Sequence, residues 1–274
     1  MAGGYPYLLS GGSMNYLRLF GVYFRLSVMN ELAYRVNFYI QLFQSVVELA
    51  TALTGLAVIF SYTSTLAGWT ANEMLALVGV YFITGGMIGL VIRPSLEQFI
   101  ASVRDGTFDF TLVKPEDAQF LMSFQIVNIW KLIDIVMGFA VLTTALIRLG
   151  SKVGAGQAVG FGIMLLTGTI IIYCFWLVLA TLSFWFVRVE NILVIFQSMY
   201  EAGRWPISLY PGWLRFALTF VVPIAFATTV PAQALTGHLT LETLIGALTA
   251  AAVLSVVSRF VWRIGLRRYS GASA

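Results

Sequence analysis

Three charged side chains sit where charge is costly. Glu48, Lys131 and Asp134 lie inside long apolar runs. An ionisable group in such a run is a functional candidate, because hydrocarbon penalises it unless it is paired or faces water. Lys131 and Asp134 are three residues apart, so on a helix they meet and neutralise each other. Glu48 calls for a polar partner on another helix or a place in a transport path. A proton- or sodium-coupled carrier usually shows more intramembrane acids than these.

Other chemistries find little to work with. The only histidine is His238, and no nucleophile-elbow motif or second titratable group stands near it, so a histidine-based triad has no frame. A zinc site needs three or four ligands, and His238 has no companions in sequence. A polar loop residue is its ordinary reading. The one cysteine, Cys174, lies in an apolar run and reads as a small packing residue. No Gly-x-x-x-x-Gly-Lys-Ser/Thr sequence occurs, so any ATP that powers this chain is expected on another chain.

The densest mixture of charge and apolar side chains outside the apolar runs is Arg104-Asp-Gly-Thr-Phe-Asp-Phe-Thr-Leu-Val-Lys-Pro115. Phe108, Phe110, Leu112 and Val113 are expected to be exposed there, since no domain is at hand to cover them. Apolar groups rimmed by charge mark a docking surface, here for a cytoplasmic protein.

The elements that must position these residues follow from composition. Of the 274 residues, 59% are apolar and only 10% charged, against roughly 25% charged in soluble domains. Repeated apolar stretches of about 20 residues mean membrane spans. The expected fold is an all-α polytopic membrane protein with six transmembrane helices. An amphipathic helix over 14–35 lies in the interface, its arginine stems snorkelling. Spans follow at about 37–60, 73–92, 120–147, 158–187 and 242–264, with a cytoplasmic loop 93–119 containing a short helix at 95–104. The second span carries a small-residue face of Gly79, Gly85, Gly86 and Gly89 for close packing. Residues 190–236 admit two paths. In one, a short fifth span at 190–203 precedes a segment that dips in from the far side; in the other, 190–212 is interfacial and 213–235 is the span. Pro223 and Pro231 favour a broken element there, whereas the charge rule favours the second path. Residues 1–13 read as an expression leader or disordered N-terminus, with 14–270 a single transmembrane domain.

Lysine and arginine counting sets the orientation. Arg18, Arg25 and Arg35 precede the first span; Arg93, Arg104 and Lys114 lie in the 93–119 loop; Arg263, Arg267 and Arg268 follow the last span. The 61–72 loop has none. Both termini and the 93–119 loop are therefore expected in the cytoplasm, and the net charge of +4 reflects topology and not nucleic acid.

Four stretches together resemble the ABC-2 type of ABC transporter permease, in a bacterial branch for which the likeness names no cargo. They are Asn30-Glu-Leu-Ala-Tyr-Arg-Val-Asn37, the Arg104–Pro115 stretch, Phe184-Trp-Phe-Val-Arg-Val-Glu-Asn191, and Gly203-Arg-Trp-Pro-Ile-Ser-Leu-Tyr-Pro-Gly-Trp-Leu-Arg215 with Pro223 and Pro231 beyond. The resemblance implies an elbow helix at the N-terminus and re-entrant elements over 204–236, which tips the fifth span to 190–203. It implies a permease subunit of an ATP-driven exporter in the bacterial cytoplasmic (inner) membrane, without its own ATPase site. Two copies of an ATP-binding subunit would carry ATP and Mg, and a second permease, identical or related, would complete the path. No cofactor, metal or catalytic residue is implied in this chain. The loop from Glu97 to Lys114 would dock on the ATPase through Glu97, Arg104, Asp105, Phe108, Asp109, Phe110 and Lys114, and changing Asp105 or Phe108 would uncouple hydrolysis from transport. Two other readings stand beside it: a non-transporting assembly or sensor subunit coupled to an ATPase, and an intramembrane lipid-modifying enzyme.

Overall fold

The computed structural model describes residues 16–33, 35–150, 154–186 and 190–269. The expected leader 1–13, Tyr34, Lys152 and the Val187–Val189 part of the third resemblance stretch fall outside them. The described chain is an all-α membrane protein, with a single two-stranded hairpin, Thr65–Leu66 against Trp69–Thr70, as its only sheet.

Five helices are long and apolar enough to cross a membrane among the described residues: Val36–Tyr62, Ala71–Arg104, Ile129–Leu149, Ala155–Phe184 and Leu241–Arg268. We label the α-helices in chain order: α1 (Tyr16–Ala33), α2 (Arg35–Tyr62), α3 (Ala71–Met87), α4 (Arg93–Arg104), α5 (Asp109–Leu112), α6 (Ala118–Ser123), α7 (Leu132–Leu149), α8 (Ala155–Thr181), α9 (Glu190–Tyr200), α10 (Gly212–Phe216), α11 (Ile224–Ala227), α12 (Thr229–Thr236) and α13 (Leu241–Arg268). The bundle has two ends. One carries the 65–70 hairpin, the other the 105–117 loop.

The second long helix departs from expectation. In place of a separate short helix at 95–104, α3 continues into α4 through one wide π-helical turn at Ile88–Ile92. Pro94 sits in the first turn of α4, and because the rod is continuous its missing N–H leaves a carbonyl of the preceding turn to find another donor. The whole rod is 34 residues, about 50 Å at 1.5 Å per residue. A hydrocarbon core is about 30 Å thick, so the rod is longer than such a core is deep.

The π turn also explains why the expected span at 120–147 is interrupted. Helix stops at Ser123 and resumes at Ile129. Between them the Asn128 N–H donates to the Leu90 carbonyl in the π turn, at 2.8 Å. Ser95 Oγ donates to the Ile126 carbonyl (3.0 Å) and accepts from the Ile126 N–H (3.2 Å). The α3–α4 rod thus satisfies backbone groups that a continuous helix would have paired internally.

Glycines set the tightest contacts. A Cβ on Gly79 would lie 2.8 Å from the Leu142 nitrogen, and one on Gly138 would lie 2.7 Å from the Gly79 carbonyl oxygen. Helices α3 and α7 therefore meet backbone to backbone. Gly86 adds to that seam against Ile135, whereas Gly85 and Gly89 face Tyr200 and Lys131.

After α9 the chain goes on in short turns, at Glu201–Arg204 and Ile207–Leu209. Helix α9 has 11 residues, about 16 Å, too few to span alone. Ile207 and Ser208 reach the hairpin end beside Trp69 and His238. The chain then turns back through α10, and Ile224 meets Gly203 again, 2.6 Å from where its Cβ would be. Helices α11 and α12 return to the hairpin end, with α11 against the bare backbone of Gly168 in α8. Thr84 Oγ1 in α3 donates to the Ala227 carbonyl, 3.0 Å, pairing a group that the break after α11 releases.

Candidate functional site

The 105–117 loop begins where the α3–α4 rod ends. Gly106 makes the turn with φ of +70°, a conformation that glycine adopts freely. Phe108 then points inward and is 1% exposed. Its ring lies among Phe99 (5.2 Å between centroids), Tyr269 (5.5 Å), Phe184 (5.8 Å) and Trp262 (6.2 Å). Gly265 in α13 leaves the space that Phe184 fills; any side chain there would collide with that ring. The expectation that Phe108 is exposed is therefore corrected. The ends of α4, α8 and α13 supply the cover that the sequence did not reveal.

Several of the other loop residues are exposed, whereas Asp109, Thr111, Glu116 and Asp117 are half-buried. Phe110 is 72% and Val113 81% exposed, and Leu112 and Lys114 are exposed beside them. Arg104 Nε and Asp105 Oδ1 pair at 2.9 Å, both well exposed. That guanidinium holds the Asp105 carboxyl below its usual range. Glu97 is one turn from Arg93 and pairs with it at 2.7 Å. Asp109 opens the short helix α5. The loop end thus exposes Arg104, Asp105, Phe110 and Lys114 over the buried Phe108, while Glu97 lies about two turns further up α4 with Arg93.

A second anchor closes the loop, and nothing in the residue pattern announces it. Asp117 caps α6 by accepting from the Gln119 and Phe120 N–H groups, at 2.9 and 3.2 Å. Arg259 of α13 reaches the same carboxylate with both terminal nitrogens, Nη2 to Oδ2 at 2.6 Å and Nη1 to Oδ1 at 3.3 Å. Arg259 also donates to the Gln119 amide oxygen. The forked geometry suits arginine and carboxylate. The Asp117 carboxyl is held below its ordinary range, first by the Arg259 hydrogen bond and then by the α6 N–H groups.

The charges inside the apolar runs all have partners. Lys131 Nζ meets Asp134 Oδ2 at 2.8 Å, and Ser45 Oγ of α2 donates to Asp134 Oδ1. Glu48, also on α2, takes Arg204 Nη2 at 2.7 Å and the Tyr81 hydroxyl at 3.3 Å. The Arg204 guanidinium lies 5.3 Å over the Tyr81 ring, a cation–π contact. Tyr81 stacks on Tyr200 at 5.0 Å. Residues 45 and 48 thus bind α2 to α7, to α3 and to the start of the dipping segment.

His238 is more than a loop residue. Its Nε2 lies 2.8 Å from Glu73 Oε1, while the other Glu73 oxygen accepts from the Thr70 backbone in a capping box. The pair ties the segment before α13 to the start of α3. A sequence signal did exist: Thr70-x-x-Glu73 announces a helix start.

A family model described as ABC-2 family transporter protein matches residues 46–273. No curated protein matches the chain.

Proposed function

The chain belongs to the ABC-2 transporter family, and from that premise we propose that it is the permease of an ATP-driven exporter worked by separate ATP-binding subunits. An ABC-2 permease is the membrane subunit of an ABC transporter and is paired with an ATP-binding subunit. The finer reading is that two permeases share the path, two ATP-binding subunits dock below, and the membrane is the bacterial cytoplasmic one with both termini inside. The observation that carries it is the exposed cluster of Arg104, Asp105, Phe110, Val113 and Lys114 at the tip of a rod longer than a hydrocarbon core is deep.

The mechanism follows from the anchors. ATP binding draws the two ATPases together, and they push on the loop. Phe108 and Asp117 fasten that loop to α8 and α13, so a push is delivered to those helices and not absorbed by a slack connection. Nucleotide shifts the inward–outward equilibrium only if the loop contacts the ATPase differently in the two states. Asp105 and Phe110 are the side chains placed to make that difference.

Purification of the intact chain from its membrane in mild detergent, with mass spectrometry of its companions, tests the reading. An ATP-binding protein in the eluate is expected. Asp105→Lys and Phe110→Ser should leave the permease folded and monodisperse but strip that companion or uncouple its hydrolysis from transport. An eluate without any ATPase, even after crosslinking through a cysteine placed at Val113, would defeat the proposal.

A further inference from the structure

A groove of about 440 Å³ lies between α2, the start of α3 and the end of α7, at the hairpin end of the bundle. Leu56, Phe60, Leu75 and Val141 line it with apolar side chains, and Ala57, Ala71 and Ala140 keep it wide. Ala57, Ala140 and Thr144 are exposed, so the groove is open along its length. On α2 its lining runs from Leu53 to Phe60, about 10 Å. That depth lies within one leaflet of a core about 30 Å thick.

One cation stands at the mouth. Thr144 and Asn72 also line the groove, but their donors are spent inside the protein. Thr144 Oγ1 donates to the Ala140 carbonyl at 2.8 Å, and Asn72 Nδ2 to the Arg148 carbonyl at 3.4 Å. Arg148 is one turn past Thr144, on the α7 face that carries Ala140 and Val141. It is exposed, and no carboxylate pairs with it among the described residues. Arg93, Lys131, Arg204 and Arg259, by contrast, each hold an acid. A cation at the hairpin end also runs against the lysine and arginine count that sets the orientation. The last turn of a helix suits a cation but supplies no counterion. At the edge of an apolar surface an arginine lays its stem on that surface and its head among headgroups.

We propose that this groove holds one acyl chain of an anionic phospholipid, with the lipid phosphate at Arg148. Apolar walls with one charged group at the rim are the usual make-up of a small-molecule site. The walls offer a polar ligand little to bond. A helix of a second copy laid here would bury an unpaired guanidinium, which is costly. With the loop end in the cytoplasm the leaflet is the outer one. That side rests on the permease reading, whereas the binding does not.

Delipidated full-length chain in nonionic detergent is offered phosphatidylglycerol or phosphatidylcholine of matched acyl chains. Bound lipid is counted by native mass spectrometry. The choline lipid carries its own cation beside the phosphate, so the anionic lipid should bind about fivefold tighter, the worth of one arginine near an anionic headgroup. Arg148→Gln should abolish that excess. Arg148→Lys, which keeps the charge, and Arg263→Gln, an exposed cation at the other end of the bundle, should retain it. Ala57→Phe fills the groove from an exposed position and should remove the excess with Arg148 still in place. Equal retention of the two lipids by the wild type, or an excess that survives Arg148→Gln or Ala57→Phe, overturns the proposal. Soluble glycerophosphoglycerol competing as well as the lipid overturns the acyl-chain site. Ala57→Phe splitting a dimer while leaving lipid retention unchanged gives the groove to a second copy instead. No ATPase is needed, so a chain that purifies with an ATP-binding subunit yet shows no lipid preference defeats the groove alone.

Discussion

The 105–117 loop and the 204–236 segment are both irregular chain attached to the same bundle, and they are attached in opposite ways. The loop is held by rings: Phe108 is buried among Phe99, Phe184, Trp262 and Tyr269. The dipping segment is held by charge and by backbone: Arg204 on Glu48, the Ala227 carbonyl on Thr84, α11 on Gly168. The difference follows from surroundings. At the loop end water is near, backbone groups are satisfied locally, and apolar burial is available as an adhesive. At mid-depth the surroundings are already apolar, so rings gain nothing by leaving lipid, and polar pairs and close packing do the holding.

The largest expected effect tests the ring anchor. Phe108→Ala removes a fully buried aromatic and should destabilise the folded permease by about 3–5 kcal/mol. Phe110→Ala, two residues on and exposed, should change stability by no more than about 0.5 kcal/mol. Thermal unfolding in detergent, followed by tryptophan fluorescence, reads both. Similar midpoints for the two variants would erase the contrast between anchor and contact surface.

The next effect concerns the charged anchor. Arg204→Ala leaves Glu48 with only the Tyr81 hydroxyl, and Glu48→Ala leaves the guanidinium over a ring. Because the Glu48 side chain is 41% exposed, the expected cost lies between the ~1 kcal/mol of a surface pair and the ~3 kcal/mol of a fully buried one. The double variant should cost less than the two single costs added together. Strict additivity in a double-mutant cycle would mean that the pair does not hold the segment.

The same contrast governs what the sequence could tell. Charges inside apolar runs announce themselves, so Glu48, Lys131 and Asp134 stand out from residue type and position alone. The sequence does not name the partner: Arg204 is 156 residues from Glu48. The long apolar helices and the small-residue face of α3 are legible, because composition and spacing carry them. The π turn and the break at 124–128 are not, since Ile88–Ile92 is ordinary apolar sequence and only the Leu90 and Ser95 bonds to the crossing reveal the break's function. Phe108 and Phe110 show the limit most sharply. They are the same residue type, each next to Asp109, and they differ only because Phe184, Trp262 and Tyr269 converge on one of them from far along the chain. The Asp117 clasp is hidden likewise, one carboxylate among several in a charged loop.

The smallest effect separates the two anchors of the loop itself. The Asp117 carboxyl is depressed by Arg259, so its contribution is fully present above the ordinary aspartate value of about 3.9. It is lost as pH falls through the lower value that the folded state imposes. Both partners are partly exposed, 40% and 35%, so the clasp is worth at most about 1 kcal/mol. Asp117→Asn is the clean probe, because asparagine still caps α6 and only the charge is removed. The difference in unfolding midpoint between wild type and Asp117→Asn should be constant from pH 7 to about 5 and shrink towards zero below about 4. Arg259→Gln should give the same curve. Taking the difference cancels the other carboxylates, Asp105 included, which titrate in both proteins. A difference that is zero at every pH would assign the loop's attachment to Phe108 alone; a difference near the full expected size would make α13 a polar as well as an apolar receiver of whatever the loop is pushed with.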